Sequence, residues 1–240
     1  MNRIALMVIK CLPKIPAWWF RLCRYGREDD THTEQERYEF LRDLVKTVNR
    51  RGKVDVQGFG QEYIPQENGF ILFPNHQGLF DMLALIDTCP KPLSVVIKKE
   101  AANWVLVKQV LQLLRALTID RSDIRGSLEL INQMSEEVGK GRNYVIFAEG
   151  TRSKNGNQLV AFKGGTFKSA YNAHCPIVPV ALIDSFKPFD ENSSKQTTVQ
   201  VHYLKPLLYE EYREMKTPQI AKLVAKRIQD EIDTQQQIKS

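Results

Sequence analysis

The chain has 240 residues, 42% of them hydrophobic and 26% charged, with 34 basic and 28 acidic side chains and a formal net charge of +6. That balance belongs to a globular chain long enough for one sizeable α/β domain and argues against disorder except at the ends. Four cysteines, Cys11, Cys23, Cys89 and Cys175, form no C-x-x-C pair and no histidine-rich ligand spacing, so neither a zinc site nor a disulfide framework is expected, and a reducing cytosol fits.

No run of about 18 apolar residues occurs, which excludes a conventional transmembrane helix on length. The charge is unevenly placed. Arg3, Lys10, Lys14, Arg21, Arg24 and Arg27 precede the first acid, Glu28, and the remainder carries 28 basic and 28 acidic residues. The excess is N-terminal, which argues against a nucleic-acid groove spread over the domain and for a local contact with an anionic surface.

In residues 1–27 the apolar runs Ile4 to Ile9 and Ala17 to Phe20 are separated by Pro13 and Pro16, so two short helices are expected. No small-x-small cleavage site follows, which excludes a signal peptide. Trp18 and Trp19 beside arginines match an amphipathic anchor at a membrane interface, where each nearby cation contributes about 1 kcal/mol. The competing reading is that these apolar groups pack on the domain's own core; the isolated charge favours the membrane.

Phe40, Leu41, Leu44, Val45 and Val48 make one stripe of a helix over 34–50, ended by Arg50-Arg51-Gly52. Val54 and Val56 alternate as a strand. Phe70 to Phe73 is a short strand closed by Pro74, and a helix begins within Asn75-His76-Gln77-Gly78-Leu79-Phe80-Asp81. A strand over 93–97, a helix over 101–115 and a strand over 117–119 deliver Asp120-Arg121. A helix over 127–138 and a strand over 143–147 deliver Ala148 to Ser153. After a helix near 166–173 comes the strand Ile177 to Leu182, where Pro179 points to an edge or a bulge. A strand over 198–204, a helix over 219–232 and a frayed end from Gln235 complete the chain. Alternating strands and helices without repeat or linker predict a single α/β domain, residues 28–240, with a largely parallel sheet flanked by helices and a two-helix membrane-binding segment over 1–27.

His76 at a strand end faces a cleft from a rigid base. Inside one helix, residues five apart lie about 140° out of phase. If His76 stays in the turn and only Asp81 is helical, the carboxylate folds back onto one imidazole nitrogen and leaves the other as an acceptor. For H-x-x-x-x-D alone, a capping histidine and a solvated aspartate are the more ordinary outcome. Three strand ends, however, carry such residues: His76 with Asp81, Arg121, and Glu149 with Arg152. Parallel strands bring these ends to one edge of the sheet.

This set resembles the glycerolipid acyltransferase family, and within it the bacterial 1-acyl-glycerol-3-phosphate acyltransferases. Asn75-His76 through Asp81 is similar to the family's N-H-x-x-x-x-D block, Ile119-Asp120-Arg121 to the second, Phe147-Ala148-Glu149-Gly150-Thr151-Arg152-Ser153 to the third, and Ile177 to Val180 to the fourth. Many members carry serine where this chain has Gly78.

The resemblance implies direct acyl transfer from a thioester, carried by coenzyme A or acyl carrier protein, to the 2-hydroxyl of lysophosphatidic acid, with no other cofactor and no metal. His76 is then the general base and Asp81 its orienting acid. The acceptor is expected on Arg121, Glu149, Gly150, Thr151, Arg152, Lys98 and Lys99, with Glu149 holding an arginine or the glycerol. The Gly78 backbone is a candidate oxyanion donor. The expected location is the cytoplasmic face of a membrane, peripheral or monotopic, with a phospholipid surface and no nucleic acid as partner. Glycerol-3-phosphate or another lysolipid is an alternative acceptor. A cysteine hydrolase built on His174-Cys175, and a non-catalytic membrane-binding module, are alternatives of other classes.

Overall fold

The computed structural model describes residues 2–27, 31–99, 107–120 and 123–239, with Lys98, Val107, Ile124 and Lys239 described by their backbone only. Two short helices open it, α1 (Arg3–Cys11) and α2 (Ile15–Tyr25), joined by a 3₁₀ turn that contains Pro13. Both are two-sided. Leu6, Met7, Cys11, Leu22 and Tyr25 are buried, whereas Ile4, Val8, Ile9, Leu12, Trp19 and Phe20 are exposed. One face of these helices thus packs on the domain, and the other is left exposed.

Arg3 is buried, and its guanidinium donates to the carbonyls of Gly52, Lys53 and Lys195 at 2.9, 3.2 and 2.7 Å. One of the six N-terminal charges is thus a structural rivet that satisfies carbonyls at a helix end, and it is withdrawn from any anionic surface. Gly52 gives room to Met7: a Cβ there would lie 2.3 Å from the Met7 methyl carbon, so a larger residue needs that side chain to move.

Helix α3 (Glu34–Arg51) starts with a Thr33/Glu36 capping box and lies against the first strand, β1 (Val54–Phe59). There follow β2 (Ile71–Pro74), α4 (Asp81–Thr88), β3 (Ser94–Lys98), α5 (Val107–Leu113), β4 (Leu117–Ile119), α6 (Ile124–Gly139) and β5 (Tyr144–Val145). The rest is α7 (Lys168–Ala173), β6 (Ile177–Ile183), α8 (Lys187–Asp190), β7 (Thr197–Tyr203), α9 (Tyr209–Tyr212) and α10 (Thr217–Lys239). Helix α6 begins earlier than its apolar pattern indicates, because the Asp123 side chain accepts from Gly126 N–H at 2.9 Å and caps it. Helix α10 runs to Lys239 where fraying from Gln235 was expected.

The seven strands are ordered β1-β7-β6-β2-β5-β3-β4. β6, β2, β5, β3 and β4 run parallel; β7 is antiparallel to β6, and β1 follows β7. The sheet is mostly parallel, as the alternating pattern requires, with two reversed strands at one flank. Side chains alternate across it. Leu72, Val145, Val178 and Val180 face a core shared with α1 to α5, and Ile71, Phe73, Tyr144 and Ile177 face one shared with α6, α7 and α10.

Pro179 stands in an interior strand, neither at an edge nor in a bulge. Its carbonyl accepts from Leu204 N–H at 3.0 Å, so its nitrogen, on the same side of the residue, faces the β7 flank just past the last ladder pair, Val180↔Tyr203. The missing N–H costs no bond to β2.

Candidate active site at the parallel strand ends

Strand β2 ends at Pro74, and the next seven residues form a turn that is pinned from several directions. The Asn75 amide donates to Leu182 O at 3.0 Å and its oxygen accepts from Leu182 N–H at 2.7 Å, tying the turn to β6. The Gln77 side chain accepts from Ser185 N–H at 2.7 Å and donates to Asn157 at 2.8 Å. Both side chains are buried, so these bonds replace water that the groups have lost. Neither anchor was recognised in the sequence, because each partner lies about 80 residues or more away.

His76 remains in the turn and Asp81 is the first residue of α4. Asp81 is buried, and its Oδ2 lies 2.7 Å from His76 Nδ1 and 2.7 Å from Gln77 N, with Gly78 N at 3.1 Å from both oxygens. The carboxylate thus caps the turn with amide donors while holding the ring. An acceptor already facing two amides is an acceptor toward the ring as well, so in a neutral ring Nδ1 carries the proton and Nε2 the lone pair. The His76 side chain keeps 22% of its surface exposed, and its ring lies on Phe147 with centroids 4.2 Å apart.

The Gly78 N–H, considered above for an oxyanion, is engaged with Asp81. A Cβ at Gly78 would lie 3.3 Å from Phe186 Cα, so a larger residue needs that backbone to yield. The small residue serves close packing of the turn on the 184–190 segment.

Glu149 is 1% exposed, and among the described residues it forms no ion pair with an arginine. Its Oε1 accepts from His76 N–H at 2.9 Å and its Oε2 from Val160 N–H at 3.2 Å. Burial pushes this carboxyl up to about 7, with the two amide donors acting the other way. In return, Ser153 N–H donates to His76 O at 2.8 Å. The loop after β5 therefore grips the histidine's backbone on both sides, and Glu149 supplies one of these two contacts.

The Acyltransferase family model matches residues 53–183. The chain belongs to this family. It is 32% identical over 145 residues to the 1-acyl-sn-glycerol-3-phosphate acyltransferase of Cocos nucifera, covering 59% of this chain and 47% of that protein. It is 34% identical over 116 residues to the enzyme of the same name from Helicobacter pylori, covering 48% and 49%. These matches span about half the length of the relatives. In fold the chain is similar to the 1-acyl-sn-glycerophosphate (LPA) acyltransferase of Thermotoga maritima, with a TM-score of 0.70, 96% of this chain and 92% of that chain covered, and 17% identity.

Strand β5 is paired over only Tyr144–Val145; Ile146 N–H still donates to Leu72 O, and then Gly150 N–H turns back to Phe147 O at 3.1 Å. Gly150 has φ +71°, a left-handed conformation that favours glycine, and this turn releases Thr151 and Arg152 to solvent. Lys98 ends β3, and Lys99 follows it, exposed. Arg121 lies outside the described residues, as does Trp104 of the apolar stretch before Arg115. Strand β4, which leads to Arg121, is parallel to β3. Cys175, by contrast, is buried and its thiol is pushed up to about 12, which leaves it protonated and weakens the cysteine-hydrolase reading.

Proposed function

We propose that this chain transfers a fatty acyl group from an acyl thioester to the 2-hydroxyl of 1-acyl-glycerol-3-phosphate, giving phosphatidic acid. The observation that carries the reading is the 2.7 Å contact of buried Asp81 with His76 Nδ1, which leaves a partly exposed Nε2 as a base. The names of the relatives from Cocos nucifera and Helicobacter pylori point to the same acceptor.

Nε2 takes the hydroxyl proton as the alcohol oxygen bonds to the thioester carbonyl carbon. Asp81 stabilises the imidazolium that forms. Collapse of the tetrahedral intermediate breaks the C–S bond, and the thiolate recovers the proton from Nε2. No covalent acyl-enzyme is needed. Arg152, exposed after the Gly150 turn, offers a fork for two phosphate oxygens; Lys98 and Lys99 at the end of β3, and Arg121 of the second sequence block, are the further cations of this reading.

The enzyme sits on the cytoplasmic face of a membrane through the outer faces of α1 and α2. Ile4, Val8, Ile9, Leu12, Trp19 and Phe20 enter the interface, and Lys10, Lys14, Arg24 and Arg27, all exposed, meet anionic headgroups. Among the described residues no helix is long and apolar enough to cross a membrane. Residues 1–27 are thus the interfacial unit and 28–240 the catalytic one.

The test is an acyl-transfer assay with lysophosphatidic acid on vesicles, with acyl-coenzyme A and acyl carrier protein thioesters compared as donors. Phosphatidic acid formed with one donor and lost in His76→Ala is the expected result. Turnover of glycerol-3-phosphate but not of lysophosphatidic acid overturns the acceptor assignment.

A further inference from the structure

We propose that Lys163, which lies outside all four sequence blocks, is a second cation of the acceptor's phosphate clamp, acting together with Arg152. This rests on the acceptor reading above.

The first observation is the company of Gly150. A Cβ built there would meet Lys163 Nζ at 3.0 Å, Cε at 3.3 Å and Cδ at 3.5 Å. The distal arm of Lys163 therefore lies along the glycine between Glu149 and the Thr151-Arg152 pair, in the space that any other residue would fill. Gly150 thus serves two ends, a left-handed turn and a bed for the lysine arm.

The second observation is the rigidity of the lysine's own backbone. Its N–H donates to Ala148 O at 2.9 Å, and its carbonyl accepts from Thr166 N–H at 3.1 Å and Thr166 Oγ1 at 2.7 Å. The next residue, Gly164, lies so close to Pro218 at the start of α10 that a Cβ would fall 2.9 Å from its backbone. A lysine on an ordinary surface loop has a free base and a wandering amine. This one starts from a base held on three hydrogen bonds, and its arm lies over Gly150.

The third observation is charge. Among the described residues Lys163 forms no ion pair, and Glu149, the residue before Gly150, has both oxygens on backbone amides. The ammonium is exposed and placed next to the turn that presents Arg152. A dianionic phosphate monoester matches two cations of different geometry, a planar fork and a point charge, better than it matches either alone. A neutral acceptor gains nothing from the second cation.

The test is steady-state kinetics of Lys163→Ala and Lys163→Arg with lysophosphatidic acid varied, and with inorganic phosphate as a competitor. The side chain is exposed, and thermal unfolding of each variant checks that the fold is kept. Lys163→Ala is expected to raise KM roughly tenfold or more with kcat changed little, and to raise the phosphate inhibition constant in parallel. Lys163→Arg is expected to recover most of both. An unchanged KM in Lys163→Ala overturns the proposal, as does an equal fall in kcat with no change in phosphate inhibition, the signature of a residue that shapes the turn only. If the unaltered enzyme acylates glycerol-3-phosphate or another lysolipid but not lysophosphatidic acid, the acceptor reading fails, and phosphate inhibition of that turnover still reports on Lys163.

Discussion

Replacing Glu149 by glutamine separates two effects of one buried carboxyl. Its pKa is raised from an ordinary 4.5 to about 7, so in the folded protein it holds its proton more tightly than in the unfolded chain. The stability this adds is fully present below the unfolded value and is lost as pH rises through the folded one. At 1.36 kcal/mol per unit, the loss between pH 5.5 and 8.5 amounts to about 2 kcal/mol. Glutamine keeps one acceptor but turns an N–H donor toward His76 N or Val160 N, a pH-independent cost of roughly 1–3 kcal/mol.

Denaturant unfolding of both proteins across that pH range reads the two separately. Glu149→Gln should be less stable than the parent at pH 5.5, and the gap should shrink by about 2 kcal/mol at pH 8.5. Parallel stability curves would refute the argument, since they would mean that the carboxyl titrates normally and that its burial is offset by contacts to its ionised form.

Asp81→Asn should leave the turn partly capped yet lower transfer by roughly 10²–10⁴-fold, because the ring loses its fixed tautomer; a rate within a factor of a few of the parent would count against the orienting role. Arg152→Ala should act mainly on KM for lysophosphatidic acid, and a pure kcat effect would remove it from the clamp. Trp19→Ser with Phe20→Ser, both exposed, should leave the unfolding temperature in place while vesicle binding falls by tenfold or more; sedimentation with anionic vesicles checks this, and full retention would move the anchor elsewhere. Arg3→Met should lower stability by about 3 kcal/mol or more, since three carbonyls lose a charged donor, and a neutral result in thermal unfolding would contradict the rivet.

Much of the fold was legible because it is written in local periods. The stripe from Phe40 to Val48, the apolar run from Phe70 to Phe73 and the alternation at Val54 each name an element without reference to the rest of the chain. Pro179 misled because a strand's tolerance for proline depends on which neighbour its nitrogen faces, and that is set by β7. The pairing of His76 with Asp81 was legible as a possibility, since a turn followed by a helix start permits it. The partners of Gln77 and Glu149 were not.

By itself the sequence determined the elements, their order, and the delivery of polar residues at the ends of parallel strands, for the near-neighbour geometry of a strand or helix depends on near neighbours alone. Only the tertiary structure decided which of those residues face inward. Glu149 and Arg152 are three positions apart on one loop, yet one is sealed against the His76 backbone and the other is open to solvent. Arg3 and Lys10 read alike as interfacial cations, yet one is buried against distant carbonyls. Burial is a property of what else arrives at a place, and here what arrives comes from 70 to almost 200 residues away.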